Sequence, residues 1–368
     1  MASAQGRAGR GFFSRITGDL SFSLGSGGNC VGLSIGASSI KIVEMKKTKD
    51  SWNLLNFGSV SLRDAFSEQR EIVNGALVVQ GIQELLAQTR ITSKTICSSI
   101  AGSGVIIKNL TIVVTDMKEM NDQVLWEAEQ YIPFDISEVV IDYHIIKKGQ
   151  DNQVEVILVA VKRDLLDQYV TVIEDAKLQP KIMDIEVFAL QNTFESNYAV
   201  SDTESALLVD VGALSTKTVI CSGGIPFFVK DSPYGGEIVT QEIQRELKLP
   251  TAMDAEALKT SANLPHEVAE IVARMGHILG TELKKAVDYY TASSLGPPVT
   301  AVYLSGGGSR ATHLSKTIEE YLNIPVMYLN PFERVLSGSK NLSDEYLQTI
   351  GPEVVIPMGL AIRAGDKK

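Results

Sequence analysis

The chain is 368 residues long, 44% hydrophobic and 21% charged, and 34 Lys and Arg against 44 Asp and Glu give a net charge of −10. That length holds two to three domains, and the composition excludes a disordered, collagen-like or disulfide-stapled chain. The acidic balance argues against duplex nucleic acid as a partner, which needs surplus Lys and Arg, yet leaves room for a small phosphate ligand held by local donors.

No apolar run approaches the roughly 18 residues of a membrane span. Cys30, Cys97 and Cys221 lie far apart without Cys-x-x-Cys spacing. They read as reduced, buried thiols, not as disulfides or zinc ligands. Residues 1–29 are rich in Gly and Ser, lack the core and cleavage site of a secretory signal, and are expected to form a flexible tail. Arg7, Arg10 and Arg15 beside Phe12, Phe13 and Ile16 give a second reading, contact with an anionic membrane surface; the untethered tail is favoured.

In chain order, a strand, a tight turn and a second strand occupy 33–46. A third strand is expected at 52–62, a helix at 68–89 with Ile72, Leu77, Ile82, Leu85 and Leu86 on one side, and a strand at 95–101. A strand-helix-strand-strand block follows at 105–114, 119–131 (ended by Pro133), 139–147 and 154–161. A helix at 165–178, a strand at 181–185 and a helix at 186–198 lead into the second half. There the pattern of 33–43 recurs at 209–219, an offset of 176, with Gly, Ala, Ser, Lys and Val coincident at five positions. A strand at 224–230 and a helix at 237–247 continue the second copy, and 237–296 is helical throughout. Finally Leu304-Ser305-Gly306-Gly307-Gly308 runs from a strand towards a helix near 312–322.

Small-residue turns let backbone N–H groups approach an anion, and two such turns facing each other would clamp a polyphosphate. Lys41 follows the first turn as a point charge, and Asp210 opens the second, where it can hold Mg²⁺ through water. Glycines at a strand-to-helix turn add close backbone approach and the positive potential of a helix N-terminus.

This order of glycine turns resembles the two phosphate motifs and the adenosine motif of the actin/Hsp70/sugar-kinase ATPase superfamily. The segments 32–44, Gln130-Tyr131-Ile132-Pro133-Phe134, 184–192, Ala255-Glu256-Ala257-Leu258-Lys259, 304–309 and Gly359-Leu360-Ala361-Ile362-Arg363 narrow it. In order and over about 30–365, they resemble the PilM family of type IV pilus assembly proteins, itself similar to the division protein FtsA.

The resemblance implies an α/β, actin-like (ribonuclease-H-like), two-lobed fold with an inserted strand-helix-strand-strand subdomain. The first lobe would be 30–102, 164–200 and 350–368, with 103–163 inserted; the second lobe would be 201–236 and 297–349, with a helical subdomain at 237–296. It places Gly36, Ser38, Ser39 and Lys41 in the first phosphate loop and Asp210, Gly212 and Thr216 in the second. Gly236 would start the helix beneath the nucleotide, Glu256 and Lys259 would contact ribose and adenine, and Gly306, Gly307 and Gly308 would form the adenosine loop. Glu186 would orient the attacking water, and Asp210 would hold the metal; the simpler reading of Glu186 is an acid favouring a helix N-terminus. ATP and Mg²⁺ are the implied cofactors. The family's first loop reads Asp-Ile-Gly, whereas this chain has Ser34-Ile35-Gly36. Weaker Mg²⁺ organisation and slow or absent hydrolysis follow.

The expected function is a cytoplasmic nucleotide-binding scaffold on the inner face of the inner membrane, attached indirectly through a partner. It would bind the cytoplasmic N-terminal peptide of PilN and communicate with the pilus motor ATPase and platform proteins. Ile106, Val113 and Trp126 are candidate groove residues, with core packing the favoured role for each. The alternatives are a small-molecule kinase with Asp184 as base, and a filament-former.

Overall fold

The computed structural model describes residues 29–365 except 50, 69, 115, 200, 294–295 and 338–342. The reading of the N-terminal tail therefore lies outside the described residues, Asn29 apart. The chain divides into two compact units, one holding the described residues of 1–50, 55–189 and 359–368, the other those of 51–54 and 190–358.

In the first unit β1 (Asn29–Ile35), β2 (Ser39–Lys47) and β3 (Trp52–Ser61) precede α1 (Gly75–Thr89) and β4 (Thr95–Ile100). Then come β5 (Val105–Val113), α2 (Met120–Tyr131), β6 (Val139–Lys148), β7 (Gln153–Lys162), α3 (Arg163–Asp175), β8 (Gln179–Ile185) and the start of α4 (Glu186–Asn197). The main sheet runs β3-β2-β1-β4-β8, antiparallel between β1 and β2 and parallel from β1 to β4 to β8. Cys30 to Ile35 are buried without alternation, as a strand covered on both faces requires.

α1 begins later than its apolar spacing predicts. Asn74 caps it by accepting the Leu77 N–H at 3.3 Å. Before it, Phe66 and Ile72 form an isolated bridge, and Arg70 sits at φ 67°, which a right-handed helix cannot continue. Its buried face is Val78, Gly81, Ile82 and Leu85, so of the expected stripe Ile82 and Leu85 are kept.

The inserted block forms a separate antiparallel sheet, β5-β7-β6, whose Ile112, Val156 and Leu158 pack with Val124 and Ala128 of α2. Ile106 lies against this core as expected. Val113 and Trp126 do not: they are 56% and 59% exposed. Trp126 falls between the buried positions Val124 and Ala128 of α2, and Val113 alternates outward next to Ile112.

The second unit repeats the plan. Its strands are β9 (Ser205–Val211), β10 (Thr216–Ser222) and β11 (Ile225–Ser232), followed by α5 (Gly236–Glu246), α6 (Ala252–Lys259) and α7 (His266–Ala292). β12 (Val299–Ser305), α8 (Leu314–Leu322), β13 (Val326–Tyr328), β14 (Val335–Ser337) and α9 (Asp344–Ala364) complete the chain. The sheet order β11-β10-β9-β12-β13 is that of the first unit. β14 pairs in parallel with Trp52–Leu54, which is why that short stretch groups with the second unit. The 27-residue α7 buries Val268, Val272, Met275, Leu279 and Leu283 against the sheet residues Val209, Val302 and Leu304.

The sequence repeat is a repeat of register. Ser34 pairs with Lys41 and Ile35 with Ile40; 176 residues on, Asp210 pairs with Lys217 and Val211 with Thr216. Each turn closes identically, Gly36 N–H donating to Ser39 O at 3.0 Å and Gly212 N–H to Ser215 O at 2.9 Å.

Candidate functional site

In the second unit four segments distant in sequence meet around the carboxyl end of β9. The Gly212 turn receives the start of α5: Gly236 N–H donates to Gly212 O and Glu237 N–H to Ala213 O, both at 2.9 Å. The approach needs bare backbone, since a Cβ on Gly235 would stand 2.3 Å from Ala213 O. Thr216 takes part through its hydroxyl, which donates to Tyr234 O at 2.7 Å. It therefore shapes the turn, and its single proton is engaged within the protein. Burial pushes the Tyr234 phenol above its ordinary value.

Gly306 closes the other side. Its φ of +84° and a virtual Cβ 2.4 Å from Val211 O admit only glycine. Gly308 packs beneath Gly236, while a Cβ on Gly307 would meet nothing within 4 Å. The three expected loop glycines thus divide: Gly306 and Gly308 are buried structural contacts, and Gly307 borders open space. No regular helix starts at this turn. Gly307–Arg310 forms a 3-10 turn, Ser309 Oγ donates to Gly306 O at 2.7 Å, and His313 at φ 71° interrupts the chain before α8. The positive potential of α8 is accordingly not aimed at the glycines. The donors at this turn are local N–H groups.

Asp210 is 5% exposed, and its Oδ2 accepts from Ser305 Oγ at 2.9 Å. Lys217 Nζ lies 3.4 Å from the virtual Cβ of Gly212, over the turn. Sequence reading passed over Lys217, although the 176-residue repeat lays it on Lys41. It also passed over Thr240, which only the fold brings to the site.

Glu256 and Lys259 meet on one face of α6, as their spacing predicts, and form a 2.6 Å ion pair. Their roles differ. The Lys259 side chain is 2% exposed, and its Nζ also donates to Gly236 O at 3.1 Å and Thr240 Oγ1 at 2.8 Å. Its three donors are matched by three acceptors, as a buried ammonium requires. Lys259 is a brace beneath the first turn of α5. The Glu256 carboxylate, 47% exposed, is the group it presents.

In the first unit the Gly36 turn carries Ser38 exposed and Ser39 and Lys41 half-buried. Glu186, the first residue of α4, is 6% exposed. Asp184 is fully buried, and its Oδ1 accepts the Ile185 N–H at 2.8 Å, a setting unsuited to a base that must reach a substrate hydroxyl.

These residues fit a nucleotide: open space at Gly307, a braced carboxylate at Glu256 suited to ribose hydroxyls, and a small-residue turn at Gly212. They fit a divalent cation only in a shared way. No group of three or more His, Cys, Asp or Glu is clustered among the described residues, so Asp210 would act together with phosphate oxygens and water.

Comparison with known proteins gives the lineage. The profile of the family "type IV pilus assembly protein PilM" matches residues 32–365. The chain is similar to a solved PilM–PilN type IV pilus biogenesis complex, at 27% identity, with 92% of this chain and 99% of that one covered and a TM-score of 0.83. More distant likenesses are EutJ, an ethanolamine utilization protein of Carboxydothermus hydrogenoformans (15% identity, 91% and 89% covered, TM-score 0.54), and a diol dehydratase-reactivating factor (10%, 90% and 98%, TM-score 0.50). The fold is actin-like, the kinase alternative is displaced, and the chain belongs to the PilM family of type IV pilus assembly proteins.

Proposed function

We propose that this chain is a nucleotide-binding scaffold of the type IV pilus assembly machinery, with ATP as its ligand and Mg²⁺ accompanying the phosphates. The carrying observation is the convergence, within one unit, of the Gly212 turn, the start of α5, the Glu256–Lys259 pair and Gly307. In this reading Glu256 accepts from the ribose hydroxyls and Lys259 fixes its rotamer. Gly307 leaves room for the base, Lys217 neutralises phosphate charge, and Asp210 orients cation-bound water. A bound cation would spread phosphate charge and order water. Ser34, where the family has an acid, removes half of the carboxylate set, so hydrolysis is slow or absent. Glu186 then orients water without turning the protein into an efficient ATPase.

The partner is the cytoplasmic N-terminal peptide of PilN, by similarity to the chain solved in complex with PilN. The motor ATPase and platform proteins are the further contacts such a scaffold would serve. The protein would sit peripherally on the inner face of the inner membrane through that peptide; among the described residues no helix is long and apolar enough to cross a membrane.

Gly307→Val tests the site. A side chain there meets no protein atom at its Cβ, so the melting temperature should hold within about 2 °C, corresponding to ~0.5 kcal/mol. The same side chain occupies the ligand space, so calorimetric ATP binding should disappear. Unchanged ATP affinity in a folded Gly307→Val protein would refute the assignment.

A further inference from the structure

The outer face of α2 carries a pattern that packing within the inserted block does not use. Met120, Val124 and Ala128 form the buried face of this helix. On the opposite side Asp122, Leu125, Trp126 and Glu129 fall at i, i+3, i+4 and i+7, which makes one stripe. Leu125 and Trp126 are exposed, and so are both acids. Among the described residues neither carboxylate has an ion-pair partner. The stripe reads acid, apolar, apolar, acid. Residues 116–138 around it hold seven Asp and Glu and a single basic residue, Lys118. Isolated exposed apolar side chains are ordinary, but a Trp beside a Leu on one helix stripe is an anchor pattern for a docked segment.

The size and charge of the face select its occupant. Two side chains and two carboxylates cover a few hundred Å², whereas a stable contact between separate chains takes roughly 800 Å² from each. A segment of the same chain escapes that requirement, because its tether holds it at an effective concentration on the order of millimolar. Its charge must be positive, and aromatic rings suit the Leu125–Trp126 surface. Arg10-Gly11-Phe12-Phe13-Ser14-Arg15 has that chemistry: base, two aromatics, base, with Ile16 following. Residues 1–28, outside the described residues, hold three Arg against one Asp in a chain of net charge −10.

The connection is long enough. Residues 17–28 lead to Asn29, the first residue of β1, and span up to ~40 Å when extended. The inserted block leaves the sheet at the carboxyl end of β4, which runs parallel to β1. The connection therefore passes the length of β1, about 23 Å, and retains about 17 Å. α2 ends close to the junction: Lys162 N–H donates to Gly104 O there, and Lys162 Nζ lies 4.1 Å over the ring of Phe134, three residues past Tyr131. From Tyr131 back to Trp126 is ~8 Å along the helix.

We propose that residues 10–16 dock on the outer face of α2 of the same chain, with Phe12 and Phe13 covering Leu125 and Trp126 while Arg10 and Arg15 pair with Asp122 and Glu129. The contact needs no nucleotide. It engages the same Arg and Phe side chains that would meet an anionic membrane, so the two placements exclude each other.

The experiment uses the full-length chain labelled with 5-fluorotryptophan. There are two tryptophans, so fluorine NMR gives two signals, which Trp126→Phe assigns. Thermal melting checks that each variant is folded. Phe12→Ser/Phe13→Ser should shift the Trp126 signal, raise its quenching by acrylamide about twofold and leave the Trp52 signal in place. Asp122→Lys/Glu129→Lys should do the same, and adding Arg10→Glu/Arg15→Glu to it should restore the wild-type signal. About 1 M salt should move wild type towards the Phe12→Ser/Phe13→Ser signal. In Ser14→Cys/Gln130→Cys, oxidation should join the two positions within one chain, the native cysteines being buried. An unmoved Trp126 signal in Phe12→Ser/Phe13→Ser, no recovery in the fourfold charge exchange, or a disulfide formed only between chains overturns the proposal. If Phe12→Ser/Phe13→Ser abolishes co-sedimentation with phosphatidylglycerol vesicles and leaves the Trp126 signal unmoved, the proposal falls in favour of the membrane.

Discussion

Ser99→Ala and Ser305→Ala are the same chemical change at equivalent places in the two units, and their effects on stability should have opposite signs. Ser305 is fully buried and donates to a buried carboxylate at 2.9 Å. Hydrogen bonds to charged groups contribute ~1.5–3 kcal/mol, so Ser305→Ala should destabilise by about 2 kcal/mol. Ser99→Ala removes a hydroxyl whose oxygen is buried and unpartnered, and so lifts a desolvation cost of ~1–3 kcal/mol. Its methyl fits the same space, so a gain of about 1 kcal/mol is expected. For units of this size, ~1 kcal/mol moves a midpoint by about 2–4 °C. Ser305→Ala should lower the melting temperature by about 4–8 °C, and Ser99→Ala should raise it by about 2–4 °C. The assay is thermal and urea unfolding of nucleotide-free protein, because a bound ligand would stabilise the folded state and mask the difference. Equal destabilisation by both variants would refute the reasoning, since it would mean that Ser99 has a partner in solution as good as Asp210 is for Ser305.

Lys259→Met should cost about 2 kcal/mol in urea unfolding, because Gly236 O, Thr240 Oγ1 and Glu256 lose the ammonium and only the Thr240 hydroxyl is left to donate among them. Unchanged stability with ATP binding lost would instead make Lys259 a direct ligand contact. At alkaline pH, burial holds the Cys221 thiol far above its ordinary value of 9.0. Between that value and the folded one, the unfolded chain releases a proton that the folded chain keeps, so stability falls by about 1.4 kcal/mol per pH unit. Stability from this group is complete below pH 9.0 and declines as pH rises, and Cys221→Ala should flatten the decline between about pH 9 and 10. An identical pH slope in the variant would contradict this. Tyr290 and Tyr303, also raised chiefly by burial, extend the loss above their ordinary value of 10.0.

Much of this molecule is legible from glycine and strand patterns, because close backbone approach leaves few alternatives to glycine. The Gly36 and Gly212 turns and the inserted strand-helix-strand-strand block all follow from local spacing. What local spacing does not carry is the setting of a side chain in three dimensions. Lys259 and Glu256 share a helix face at a spacing of three, yet nothing in that spacing says that the ammonium lies under α5 while the carboxylate faces outward. The start of α1 depends on a bridge between Phe66 and Ile72, and the break before α8 on the backbone at His313. Trp126 looks like core by its chemistry, and is exposed because it falls between the two buried positions of α2.

The duplication also explains why one departure from the family pattern carries more weight than its size. Two equivalent turns with like closing hydrogen bonds differ, among other positions, in an acid in the second unit and Ser34 in the first. Had the substitution been neutral drift in a merely structural strand, a small apolar residue beside Ser34 would satisfy the site better than a hydroxyl. Ser99 is instead a buried hydroxyl with its oxygen unpartnered, while the second unit keeps the matched pair of Ser305 and Asp210. In register with Ser99 on β8 stands the buried carboxylate of Asp184. The asymmetry between the halves therefore lies in side-chain pairing, since the backbone of the two turns closes in the same way.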